Sequence, residues 1–168
     1  MMEIKASKGK MRIVAEEPEA EFLAKVLKSL ADKYAIPPSE LDGKTGHVWY
    51  SSDGFKSANM SREEREEWNR SLHEFRGENR RKLEEWISAL GAPSFPVTWI
   101  LDFAEAETLL MVINDHRLGL AAKHDVAEHE MEHDLDRVKD PAKRGALFEI
   151  HVLSWMMERI LHEFDHPS

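Results

Sequence analysis

Residues 97–121 read VTWILDFAEAETLLMVINDHRLGLA, and the order of chemistries along them decides the fold. Val97 to Leu101 is a β-branched and aromatic run, the composition of a buried strand. Asp102 follows with a side-chain oxygen for free backbone N–H groups, and Glu105 stands three residues later, the spacing of a capping box. Ala106, Leu110, Ile113, Arg117 and Leu120 then fall at steps of four, three, four and three, one face of a helix. Leu109 to Ile113 is apolar on every side, so the first half of this helix is expected to be surrounded by protein. Asn114-Asp115-His116-Arg117 ends that run abruptly. Arg117 falls on the stripe itself, where a charge is costly unless paired.

An earlier stretch echoes this one. Residues 14–27, VAEEPEAEFLAKVL, align without a gap with residues 100–113, ILDFAEAETLLMVI. Glu19-Ala20-Glu21 matches Glu105-Ala106-Glu107, Leu23 matches Leu109, and Val26 matches Val112. Each copy is a short strand, an acid, and a helix with Glu in its first turn, where the helix dipole favours negative charge. Convergence on strand-to-helix capping and a structural pseudo-repeat both account for the match. Two short strands need partners, and pairing 11–15 with 97–101 is the economical arrangement.

Around these units, residues 1–10 lack periodicity and read as a frayed start. Residues 37–60 hold two prolines and three glycines and read as a loop region. Gly43-Lys44-Thr45 within it resembles the end of a phosphate-binding loop. Position 38 is proline where that motif needs glycine, and no buried helix is expected after it. Ser61 and Glu64 form a second capping box, opening a helix to about Leu90 with Trp68, Leu72, Phe75, Leu83 and Trp86 on its apolar positions. Gly77 is a point at which that helix would kink or divide. Its arginines alternate with glutamates, the pattern of a solvated face laced by i,i+4 pairs. A hydrophilic, acidic connector covers 122–142. Pro141 then opens the last helix, whose Leu147, Ile150, Ser154, Met157, Leu161 and Phe164 are expected to pack on the 103–120 helix. The fold class is therefore mainly α (α+β): about four helices with a small two-stranded sheet around a single core, in one domain spanning 1–168.

A chain of 168 residues can bury a sizeable core. It has no cysteine, which excludes disulfides, thiol nucleophiles and cysteine-held metals. No stretch approaches the apolar length a bilayer needs, and no signal peptide is visible, so a cytoplasmic protein away from the membrane is expected. The net charge of −9 repels a phosphate backbone, so no nucleic-acid partner is expected.

One stretch carries a formal metal motif. His129-Glu130-Met131-Glu132-His133 satisfies H-E-x-x-H, in which two histidines one helical turn apart hold zinc and the glutamate is a general base. Its setting, DVAEHEMEHDLDR, is charged throughout, whereas a helix beneath a catalytic zinc is largely apolar. Glu149, His151 and Glu158 are the possible third ligands. A solvated mixed-charge segment with no cofactor is the plainer reading. His151 and His162, on the last helix, read as hydrogen-bonded interior or rim residues. No serine nucleophile stands in an elbow motif. Arg117 instead suggests a structural polar cluster: Glu158 is its expected carboxylate partner, Trp155 would cover the pair, and Asn114 would complete the network. The alternative is that Asn114 and Arg117 line a small anion pocket.

Asn114-Asp115-His116-Arg117-Leu118-Gly119-Leu120, followed by a last helix with Trp155 and Glu158, resembles an uncharacterised family, the actinobacterial domain-of-unknown-function family twenty-seventeen. Its members similarly carry a Leu-Asn-Asp-x-Arg-Leu helix, a variable acidic connector, and an N-terminal strand and helix like residues 11–34. Here Ile113 replaces the usual Leu, and residues 37–60 have no counterpart. The connector that holds His129 and His133 falls where the family varies. The resemblance implies a bacterial protein with no established activity, genes near that of a Clp protease adaptor, and so a link to regulated proteolysis. Some members are labelled transcriptional regulators, which the acidic charge does not favour. The expected function is a protein-interaction or regulatory module with protein partners and no catalysis. The alternatives are a zinc-dependent hydrolase using His129, Glu130 and His133, and a transcriptional regulator.

Overall fold

The computed structural model describes residues 2–50, 60–91, 93–130 and 134–166. Lys8 and Gly9 make the first turn, with φ of 53° and 77°. Positive φ at both centres matches the twist of a two-residue hairpin, and glycine adopts it without strain. The turn joins strand β1 (Glu3–Ser7) to strand β2 (Lys10–Ala15), antiparallel, with Ala6 opposite Met11 and Ile4 opposite Ile13. Strand β3 (Val97–Asp102) lies on the other side of β2, also antiparallel, with Ile13 opposite Trp99 and Met11 opposite Leu101. The expected pairing of 11–15 with 97–101 is therefore present. The sheet has three strands rather than two, because residues 3–7 do not fray. Ile4 and Ala6 face the core while Glu3, Lys5 and Ser7 face solvent, the alternation of a half-buried strand.

Five α-helices are present among the described residues: α1 (Glu17–Tyr34), α2 (Gly43–Tyr50), α3 (Arg62–Leu90), α4 (Phe103–Lys123) and α5 (Pro141–Asp165). Two 3-10 turns, Glu128–Glu130 and Leu135–Arg137, occupy the connector. Helix α2 lies where a loop was expected. Its two glycines weaken it locally, but Thr45, Trp49 and Tyr50 are buried on one side, so tertiary packing overrides propensity. The expectation that no buried helix follows Gly43-Lys44 is thus corrected. Helix α3 runs unbroken through Gly77, and Arg62–Glu66 and Arg81–Glu85 form the expected i,i+4 pairs along it.

The cap chemistry at Asp102 is as the sequence implies, whereas at Ser61 only one half of the expected box is made, with Ser61 Oγ accepting from Glu64 N–H at 3.1 Å. Glu105 N–H donates to Asp102 Oδ1 at 2.7 Å, and Glu105 Oε1 accepts from Asp102 N–H at 3.4 Å. At α1, Glu19 Oε1 accepts from Glu16 N–H at 3.0 Å, and its other oxygen accepts from Met2 N–H.

The inner face of the sheet packs with α1, α4 and parts of α3 and α5 into the main core, which includes Leu23, Leu83, Leu109 and Met156. A single core was expected. A second, smaller cluster instead joins Ala121, Val126, Val138, Leu147 and Ile150 beneath the connector. Helix α5 packs on α4 as anticipated. The buried face of α4, however, is Ala106, Leu109, Val112, Ile113, His116 and Gly119. It is turned by one residue from the expected stripe, so Arg117 is half-buried at its margin. Nor is the first half enclosed, since Met111 is 44% exposed. Along β1, Ala6 N–H donates to Glu163 of α5 at 2.9 Å and Arg159 reaches the Ile4 carbonyl at 3.4 Å, which covers the edge of the sheet. Among the described residues, no helix is long and apolar enough to cross a membrane.

Candidate functional site

The motif that interrupts the apolar run of α4 is also where four helices meet. Tyr34, the last residue of α1, donates from Oη to Asp115 Oδ2 at 2.6 Å. Arg76 of α3 donates from Nε to Asp115 Oδ2 at 3.0 Å and from Nη2 to Oδ1 at 3.2 Å, a bidentate pair. Trp49 of α2 donates from its indole N–H to the Asp115 main-chain carbonyl at 3.0 Å. The Arg76 guanidinium also lies 4.8 Å from the Tyr50 ring centre and 5.2 Å from that of Trp49, within cation–π range. Side chains 76 and 115 are only 12% and 18% exposed.

Burial, with the Asp115 charge beside it, pushes the Tyr34 phenol far above its ordinary pKa, so it remains a donor. Burial opposes the Arg76 charge, but the hydrogen bonds and charge of Asp115 outweigh that and hold its pKa above the ordinary value. Both Asp115 oxygens are engaged, so the carboxylate is a clamp rather than a free base. Sequence reasoning passed over Tyr34, Trp49, Arg76 and Asp115. One signal was present: Arg76 falls at helical spacing between Leu72 and Leu83, on the apolar side of α3.

Arg117, the expected centre of the polar cluster, has different partners from those anticipated. It donates from Nη2 to Asn114 Oδ1 at 2.9 Å and from Nη1 to Ser154 Oγ at 3.1 Å. Its Nε is buried and has no partner among the described residues. Glu158, one turn beyond Ser154, is exposed and does not join the cluster. The helices meet where Arg117 faces serine, and a one-residue turn of α4 lets the guanidinium sit at the margin without a carboxylate. The anion-pocket alternative is not assembled either. Asn114 lines a cavity of about 240 Å³ whose cation is Arg76, already held by Asp115, and Arg117 is not on its wall. His116 takes the buried position that Arg117 was expected to fill. Burial, and then the nearby Lys33 charge, lower its pKa to about 4, so it is neutral.

The metal motif loses its helical geometry on the side that is described. His129 lies in the 3-10 turn, and Glu130 is bound to Lys143 at 2.9 Å and to Ala127 N–H at 3.1 Å. The Lys143 hydrogen bond, with that of Ala127, holds the Glu130 pKa below the ordinary carboxylate value, which weakens it as a base. His133 lies outside the described residues, and among those described no three potential ligands cluster.

Trp155 is half-buried and lines a groove of about 480 Å³ between the start of α1 and the middle of α5. Met2, Pro18, Phe22, Phe148 and Val152 complete its apolar walls, with Phe148 54% exposed. The Glu19 carboxylate on its wall is already engaged by Met2 and Glu16. His151 is half-buried on the same wall, whereas His162 is exposed and lies beside His166, with ring centres 4.8 Å apart and planes tilted by 46°.

A family model described as "Domain of unknown function (DUF2017)" matches residues 1–163. No curated protein and no solved structure matches the chain.

Proposed function

The chain belongs to the DUF2017 family, and from that premise we propose that it is a protein-interaction module without catalysis, using the α1–α5 groove. One observation carries this reading: a concave wall built almost wholly from apolar side chains, with the exposed Phe148 at its margin. Exposed apolar surface of this kind is the usual mark of a docking site. Its occupant is an aromatic or aliphatic anchor on an amphipathic segment with basic flanks. Glu17 and Glu21 stand exposed next to Pro18 and Phe22, and the chain carries a net charge of −9, which suits lysine and arginine on the partner. The commitments of Asp115 to Arg76 and of Glu130 to Lys143 support the absence of catalysis. A setting in regulated proteolysis, which the family resemblance implies, belongs to the same proposal.

A fluorescent amphipathic peptide with a Phe or Leu anchor and lysine flanks tests the reading by anisotropy. Micromolar binding is expected, weakened roughly tenfold or more by Phe148→Asp, a change at an exposed position that leaves the core intact. A glutamate-flanked peptide should not bind. No binding of the lysine peptide, or equal binding by the variant, overturns the proposal.

A further inference from the structure

The two edges of the sheet are treated differently. Ser7 and Lys10 flank the two-residue turn and so exchange both of their main-chain bonds, and the alternation of an antiparallel ladder fixes the rest. Met11, Ile13 and Ala15 turn their N–H and C=O groups toward β3, where Leu101, Trp99 and Val97 meet them. Thr98 and Ile100 therefore direct theirs away from the sheet. The same rule sends Ile4 and Ala6 outward on β1, where α5 takes the Ile4 carbonyl with Arg159 and the Ala6 N–H with Glu163. At the β3 edge, no described residue bonds to the Thr98 or Ile100 N–H. Helix α3 meets this strand through Trp86 and Trp99, on the inner face, with ring centres 5.5 Å apart. Exposed edges are usually blunted by lysine, proline or a bulge. Residues 97–102 contain neither lysine nor proline, and their pairing with β2 runs without a break. Ile100 is 58% exposed.

We propose that the free edge of β3 takes up an extended, acidic segment of a partner protein as an antiparallel fourth strand, held by main-chain bonds to Thr98 and Ile100. Charge selects the partner. The outer face of the sheet carries Lys5, Lys10 and Arg12, all exposed, with Lys8 in the turn beside them. Against these four cations the three strands set only Glu3, which pairs with Lys5 at 2.9 Å, and Asp102. A basic face thus stands on a chain of net charge −9. Arg12 is in register with Ile100, so it lies two strand spacings, roughly 9–10 Å, from the residue added opposite Ile100. An arginine and a glutamate leaning toward each other close that distance, and their methylenes cover the isoleucine between them. Glutamate at every second position puts its carboxylates on this face, and the intervening positions suit valine or threonine. A second copy of this chain would bring the same cations to the same face and gain no charge pairing. A single nucleic-acid strand would find no aromatic ring to stack on, since the outer face has none. The required period is two, unlike the helical period of the segment that fits the α1–α5 groove, and the proposal is independent of that groove.

A fluorescent peptide alternating valine and glutamate is the probe, titrated into the full chain labelled with nitrogen-15. In the free chain the Thr98 and Ile100 amides should exchange with deuterium roughly tenfold or more faster than those of Trp99 and Leu101. Saturating peptide should slow both by a similar factor. The double variant Lys10→Glu, Arg12→Glu, at exposed positions, should lose roughly tenfold or more in affinity, and added salt should weaken binding to the wild type. N-methylation of the peptide's glutamates, whose N–H groups face β3, should abolish binding, whereas N-methylation of its valines should not. Phe148→Asp should bind this peptide like the wild type, which separates failure here from failure of the groove. The proposal is overturned by the absence of saturable binding, by binding that leaves exchange at Thr98 and Ile100 unchanged, or by equal affinity in the double variant. Slow exchange of those two amides in the free chain overturns it as well. A rate that rises on dilution would then identify a second copy on the edge, and a rate independent of concentration a cover within the chain. Binding of oligothymidylate in place of the peptide also overturns it.

Discussion

The β2–α1 and β3–α4 units begin alike and end differently. Both leave a strand through an acid, Glu16 or Asp102, and place a glutamate, Glu19 or Glu105, back onto that residue's N–H. Both then bury the same positions: Ala20 with Ala106, Leu23 with Leu109, Val26 with Val112 and Leu27 with Ile113. One turn later they part. Helix α1 continues with Ser29 and buried Leu30, whereas α4 carries Asp115 and buried His116 at the matching positions. The shared turns seat each helix on the sheet. The divergent turn of α4 is the one that ties α1, α2 and α3 together through polar bonds. Specific contacts were added at the place where the generic packing pattern had already done its part.

The sharpest break in that comparison is Asp115→Ala set against Ser29→Ala. Removing Asp115 strands a guanidinium that is 12% exposed and leaves the Tyr34 hydroxyl unbonded, so urea unfolding should show a loss of about 3–5 kcal/mol. The serine change should stay within about 0.5 kcal/mol. Equal losses would mean that the clamp is not what distinguishes the two helices.

Next in size is the contrast between His116 and Leu30. The folded-state pKa of His116 is about 4 against an ordinary 6.5, so the unfolded chain takes up its proton first as the pH falls. Stability from this group is therefore complete above pH 6.5 and is lost on the way down to about 4. The loss is about 3 kcal/mol as an order of magnitude. His116→Leu, which copies α1, should flatten that part of the stability–pH curve and leave only the carboxylate contribution. Parallel curves for the two proteins would place His116 in water.

The smallest effect concerns Arg117. Arg117→Ala removes bonds to Asn114 and Ser154 and should cost about 1–2 kcal/mol. Glu158→Ala should cost no more than about 0.5 kcal/mol. Comparable losses that fail to add in the double variant would restore the ion pair that the sequence suggested.

That last contrast also shows where sequence stops being legible. The strand-cap-helix of 97–113 could be read because each step uses local chemistry. The β2–β3 pairing followed from two short strands lacking partners. Phase along α4 could not be read, because Leu109 to Ile113 is apolar all round. Steps through Leu110 and Arg117 fit a helical face as well as steps through Leu109 and His116. Only contact with the other helices chooses between them. Strand β1 was hidden by weak side chains, Ala6 among them, although its alternation with Glu3, Lys5 and Ser7 was present. Helix α2 was hidden by glycines whose cost is offset by burying Trp49 and Tyr50. The Asp115 clamp joins residues 34, 49, 76 and 115, and no spacing rule connects positions so far apart. Charge at a helical-face position, as at Arg76, was the one local hint.

The seal along β1 has a consequence for how the chain is made. Ala6 and Glu163 are 157 positions apart, yet one bonds directly to the other. During synthesis the hairpin emerges before α5, and its outer edge lacks this cover until α5 has left the ribosome. For that interval the nascent sheet is open to strands of neighbouring chains, and growth from the edge competes with completion of the monomer. Premature termination before residue 159 would make that exposure permanent, since both Arg159 and Glu163 would be missing.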